Sequence, residues 1–122
     1  MKSYKELDIY KLSFQLAMKI HEVSLQLPQY ELYEEGSQIR RSSKRVCACI
    51  VEGYGRKKYK NDFIKFLVYS MASCDETRLH LDFVYKSSYI NEALYQSLNE
   101  EYDELGKKIN KFIQFVEANW KN

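Results

Sequence analysis

The run LYQSLNEEYDELGKKINKFIQFVEANW, Leu94 to Trp120, places apolar side chains at Leu94, Leu98, Tyr102, Leu105, Ile109, Phe112, Val116 and Trp120. The steps between them are 4, 4, 3, 4, 3, 4 and 4 residues. Such steps return to one side of a 3.6-residue helix, and the resulting near-heptad seam is that of helices packed in bundles and coiled coils. At ~1.5 Å per residue the helix would be ~40 Å long. A seam of that length cannot be buried by its own helix, so partner helices must lie along it.

The rest of the chain supplies them. One proline and four glycines in 122 residues leave few places to break a helix. From about Leu7 to Leu27, Ile9, Leu12, Leu16, Ile20, Val23 and Leu27 form one stripe, and Tyr10, Phe14, Ala17 and His21 a second beside it. Pro28 then disfavours helix at the residue before it. A second helix is expected over about Glu34 to Glu52, with Ile39, Ser43, Val46 and Ile50 on its core side and Arg40, Arg41, Lys44 and Arg45 roughly opposite. Gly53 and Gly55 are read as its stop, in the left-handed conformations that turn a chain. A third helix starts near Lys60 or Asn61, a candidate cap, and carries Ile64, Leu67, Val68, Met71, Ala72, Asp75 and Leu79 toward Lys86. Four amphipathic helices joined by short connections imply an all-α, antiparallel up-and-down four-helix bundle, a single domain over residues 1–122.

The formal net charge is only +2, yet residues 38–60 hold eight basic side chains, Arg40, Arg41, Lys44, Arg45, Arg56, Lys57, Lys58 and Lys60, against one acid, Glu52. That block is +7 and the remainder −5, an asymmetry suited to a polyanionic partner or to an acidic surface elsewhere on the molecule. Tyr54 and Tyr59 lie among these bases, where they could stack on nucleobases. Eleven tyrosines and the second stripe of the first helix exceed what one small core needs, which points to contacts between subunits.

Enzyme chemistry finds little footing. No nucleophile with a base and no poised carboxylate pair is visible. His21 and His80 have Met18 and Thr77 three residues before them, so the Glu-x-x-His of carboxylate-bridged metal bundles is missing. Arg78 and His80 are two apart and point in different directions on a helix. Cys47, Cys49 and Cys74 are odd in number and include no C-x-x-C, so packed thiols are expected rather than a disulfide or zinc site. No enzyme, metal or other cofactor is expected. The polar N-terminus and the lack of any apolar run near the ~20 residues that span a bilayer give the expectation of a soluble, cytoplasmic protein with no membrane partner. Glu52 and Glu76, at the edges of apolar faces, are expected to need Arg40, Arg41 or Arg56 as partners, or else simply to face water.

Five segments carry a resemblance: Leu27-Pro28-x-x-Glu31, Gln38-Ile39-Arg40-Arg41-Ser42, Ile50-Val51-Glu52-Gly53-Tyr54-Gly55-Arg56, Phe63-Ile64-x-Phe66-Leu67 and Ser73-x-x-Glu76. Together they resemble the four helix bundle protein family, also called the ribosomal S23 or 23S rRNA intervening-sequence protein family. The chain is similar, too, to the accessory variability proteins of diversity-generating retroelements. Gln38, Glu52, Gly53, Gly55 and Glu76 are the family-motif positions. The chain departs from the usual pattern at Cys49, where the family has Asn, and at Glu35, where it has Leu. The resemblance implies a non-enzymatic bundle assembled into a homopentameric ring, and in the retroelement relatives a basic surface that binds nucleic acid and recruits a reverse transcriptase. Two functions are therefore carried forward: a ring binding RNA or DNA through the eight basic residues, or a protein-interaction scaffold in which the arginines pair with Glu52 and Glu76.

Overall fold

The computed structural model describes residues 3–121; residues 1, 2 and 122 of the expected domain lie outside them. Four long helices, α1 (Asp8–Leu25), α3 (Glu35–Gly55), α4 (Lys60–Lys86) and α5 (Glu92–Asn119), form an antiparallel bundle. A 3₁₀ turn, Tyr4–Glu6, precedes α1, and a single helical turn, α2 (Gln29–Leu32), follows Pro28. There is no strand among the described residues. α3 packs on α1 and α4, and α5 on α4 and α1, so α1 and α4 hold diagonal corners.

The α5 seam is largely as its spacing dictates: Leu98, Tyr102, Leu105, Ile109 and Val116 are buried, joined by Ile113. Asn91 caps this helix, its side-chain oxygen accepting the Leu94 N–H at 2.8 Å. On α4 the expected stripe is only partly inward: Leu67 is buried and Ile64 and Met71 pack against the core. The core face is Phe63, Leu67, Ser70, Cys74, Thr77, Leu81 and Val84, whereas Val68, Ala72, Asp75 and Leu79 face solvent. Because α4 is apolar on two sides, periodicity alone could not say which side is inward. Its start is uncapped by Asn61, which is already the second helical residue. It ends without glycine: Tyr89 N–H donates to Val84 O and Ser88 N–H to Tyr85 O, with Ser88 in the left-handed region at φ 65°. That double bond pattern is a Schellman stop.

α3 does stop at this place, Gly55 being its last residue, but not by the expected left-handed turn: both glycines are helical and neither has positive φ. Gly53 serves a different end, close approach. A Cβ there would lie 3.1 Å from Phe66 Cβ and 3.3 Å from Phe63 O, so the missing side chain lets α3 and α4 touch. Gly55 has nothing within 4 Å of its own Cβ position. Small side chains continue the theme along this contact. Ser70 Oγ donates to Val46 O at 2.7 Å, and Thr77 Oγ1 bonds Ser42 Oγ and Ser73 O, so the buried hydroxyls are satisfied across or along the two helices.

Candidate nucleic-acid interface

α3 turns its small residues inward, which leaves Arg41, Lys44 and Arg45 exposed on the outer face as the 100° step of a helix requires. No carboxylate lies within 4.0 Å of any of these three among the described residues. They rim a shallow cleft of about 270 Å³ between α3 and α4, whose floor includes Ala48, Phe66 and Tyr69. The contact at Gly53 brings Phe66 this close, and Phe66 and Tyr69 meet edge to face with ring centres 5.5 Å apart. Glu52 is exposed at the cleft wall. The arrangement is a cationic rim over an aromatic floor.

The remaining basic residues divide. Arg40 does not belong to the exposed face: its guanidinium donates to Ser24 Oγ at 3.0 Å and to Leu32 O at 2.9 Å, tying α3 to α1 and to the α2 turn. A helix position 100° from Arg41 is already turning toward α1, and the two carbonyl and hydroxyl acceptors there take up its fork of donors. Arg56 lies over the Phe66 ring, 4.7 Å from its centre, and 3.8 Å from Asp62. Lys57 is over the ring of Tyr54 at 3.8 Å, and Lys58 beside Tyr59 at 5.7 Å. Tyr54 itself is buried and unavailable for stacking on a base; Tyr59 is exposed. The turn is held from outside by the end of α5. Trp120 Nε1 donates to Lys57 O at 2.8 Å, and Lys60 Nζ to Glu117 O at 2.7 Å.

The expected arginine pairs with Glu52 and Glu76 are not formed among the described residues. Glu76 instead meets His80 Nε2 at 3.2 Å, one turn away on α4, while His80 Nδ1 meets Glu35 Oε1 at 2.8 Å. Glu35 and His80 are both largely enclosed, and burial pushes the Glu35 carboxyl above its ordinary value, with the His80 contact offsetting part of the shift. Glu76 and His80 stand at i and i+4, a pairing legible in sequence. Glu35 lies 45 residues away, beyond the reach of any local pattern. Gln38 is exposed.

The three thiols are free and buried, and burial raises each, Cys74 to about 12, so they are not thiolates at neutral pH. Among the described residues no group of three or more His, Cys, Asp or Glu side chains could hold a metal ion, and no helix is long and apolar enough to cross a membrane.

Comparison with known proteins adds two findings. The family model described as 23S rRNA-intervening sequence protein matches residues 5–111. A solved structure, a protein of unknown function from the S23 ribosomal protein family of Bacteroides thetaiotaomicron, has the same fold with TM-score 0.78 at 23% identity, over 87% of this chain and 95% of that one. No curated protein matches.

Proposed function

The chain belongs to the 23S rRNA-intervening sequence protein family, and from that premise we propose that it is a non-catalytic, self-associating bundle, a pentameric ring, that holds RNA or DNA on the outer face of α3. The observation that carries this reading is the trio Arg41, Lys44 and Arg45, exposed and, among the described residues, without a carboxylate within ion-pair range, above a floor of Phe66 and Tyr69. Lysine and arginine on a convex helix meet phosphates, while the aromatic floor suits an unstacked base. Arg56, Lys57 and Lys58 extend the positive strip along the turn, although their engagement with Phe66, Tyr54 and Tyr59 makes them secondary. Arg40 is assigned a structural role, outside the binding set. Repetition around a ring would multiply weak sites into useful avidity.

The test is fluorescence anisotropy against a structured RNA and a duplex DNA across ~50 to ~200 mM salt. Three phosphate contacts give a log–log slope of about −2.7, or an affinity loss of about forty-fold over that range. Arg41→Glu/Lys44→Glu/Arg45→Glu should flatten the slope and abolish binding while leaving the circular dichroism unchanged. Equal binding by this triple variant, or no binding by the parent chain at low salt, refutes the reading; the second result would assign the face to protein recruitment.

A further inference from the structure

The cleft under the basic rim of α3 holds one group that a phosphate-binding surface does not call for. Glu52 stands in its wall, exposed, on the same helix as Arg41, Lys44 and Arg45. Among the described residues no Lys, Arg or His nitrogen lies within 4.0 Å of its carboxylate. The cation one turn on, Arg56, reaches Asp62 and the Phe66 ring instead. A phosphate meeting the rim is repelled by this carboxylate, so contacts to phosphate alone would be stronger without it. The cleft measures about 270 Å³, below the roughly 300 to 1,000 Å³ of pockets that enclose a whole small molecule. One flat ring fits, and the sugar and phosphate attached to it stay outside at the level of the cations. Tyr69 is the more open of the two floor rings, exposed where Phe66 is half-buried under Arg56, and bases stack on such rings. Lys65, 5.9 Å from the centre of the Tyr69 ring, adds a cation on the α4 side.

We infer that the cleft reads an unpaired guanine of a nucleic-acid strand, its ring on Tyr69, its Watson–Crick edge donating to Glu52 and the adjoining phosphates on Arg41, Lys44 and Arg45. The donor pattern selects the base. Guanine alone among the common bases presents two parallel N–H donors on that edge, N1–H and one N–H of its amine, and these match the two oxygens of a carboxylate as the fork of an arginine does. Adenine and cytosine place an acceptor nitrogen beside their amine, and uracil flanks its N–H with two carbonyls, so each sets a lone pair against a carboxylate oxygen. In a duplex the edge is taken by the pairing partner, which makes the ligand single-stranded at this position. A lysine or arginine of a protein partner would also suit Glu52, but it would have to enter among the like charges of the rim, whereas a neutral base meets no such repulsion. This deepens the proposed nucleic-acid function of the α3 face and rests on it.

The experiment is fluorescence anisotropy of the full chain against a short, labelled all-uridine RNA and against the same strand with a few uridines replaced by guanosine, adenosine, cytidine or inosine. The guanosine strand is expected to bind about ten-fold tighter than the uridine, adenosine and cytidine strands, the discrimination of a bidentate contact to a base edge. Inosine, which keeps N1–H and lacks the amine, is expected to lose most of that gain. Glu52→Gln, at an exposed site and checked by circular dichroism, is expected to bind the all-uridine strand at least as tightly as the parent and to lose the preference for guanosine. Guanosine monophosphate added as competitor is expected to displace the strand only in large excess; displacement at matched concentration overturns the strand as occupant in favour of the free nucleotide. Equal binding of all strands, or a preference that survives in inosine or in Glu52→Gln, overturns the reading of guanine by Glu52 while sparing the phosphate-binding face. Failure of the parent to bind any strand overturns that face as well.

Discussion

Two glycines in the last turn and a half of α3 should respond oppositely to the same substitution. Gly53→Ala inserts a methyl group 3.1 Å from Phe66 Cβ and 3.3 Å from Phe63 O, closer than ordinary contact, and both obstacles are fixed to the α4 backbone. No side-chain rotation relieves them, so α3 and α4 must separate by a few tenths of an ångström along a contact that also carries the Ser70–Val46 and Thr77–Ser42 bonds. Overpacking of this kind costs about 2 kcal/mol, against a gain of about 1 kcal/mol from exchanging glycine for alanine within a helix. The net is a loss of about 1 kcal/mol, a fall of about 4 °C in Tm for a chain of this size. Gly55→Ala meets nothing within 4 Å. At the last helical residue it should keep about half of the propensity gain, ~0.5 kcal/mol, and raise Tm by ~2 °C. Thermal and urea unfolding followed by far-UV circular dichroism measure both. A Gly53→Ala protein as stable as the parent, or a Gly55→Ala protein destabilised equally, would refute the assignment of Gly53 to close approach.

Two further outcomes concern buried polar groups. The Tyr102 hydroxyl is buried with no hydrogen-bond partner among the described residues, and burial pushes its ionisation far above the ordinary tyrosine range; Tyr102→Phe should therefore stabilise the bundle by about 1 kcal/mol, and a comparable loss in urea unfolding would mean the hydroxyl is satisfied. Glu35, raised by burial, holds its proton more tightly folded than unfolded, so its contribution to stability is complete below the unfolded value near 4.5 and is lost as pH rises through the higher folded value. Urea midpoints taken upward from about pH 4 should thus decline for the parent relative to Glu35→Gln, which keeps a polar partner for His80 without the titration; parallel curves would contradict this.

The helices were legible because long seams carry much redundant information. Leu98, Tyr102, Leu105, Ile109 and Val116 lie where their spacing put them, and the exposed Arg41, Lys44 and Arg45 follow from the same geometry one helix earlier. Outside α4, whose two apolar sides periodicity cannot rank, the misreadings share a cause: each depended on a partner distant in sequence. Gly53 looks like a terminator until Phe66 is beside it. Arg40 looks like its neighbour Arg41 until Ser24 and Leu32 O are in reach. Glu35 joins His80 across 45 residues, and no local pattern announces it. The Schellman stop at Ser88 was likewise unreadable, since serine is an uncommon occupant of that left-handed position.

Trp120 is the only tryptophan in the chain. Its indole N–H is held by Lys57 O, and its ring stands edge-on to Phe63 with centres 5.2 Å apart. The polarity and rigidity around that indole are therefore set by the Arg56–Tyr59 turn, and any ligand that pulls on the turn must alter them. The protein carries its own optical gauge: emission from a single fluorophore, free of background from other indoles, registers events on the basic turn without a label.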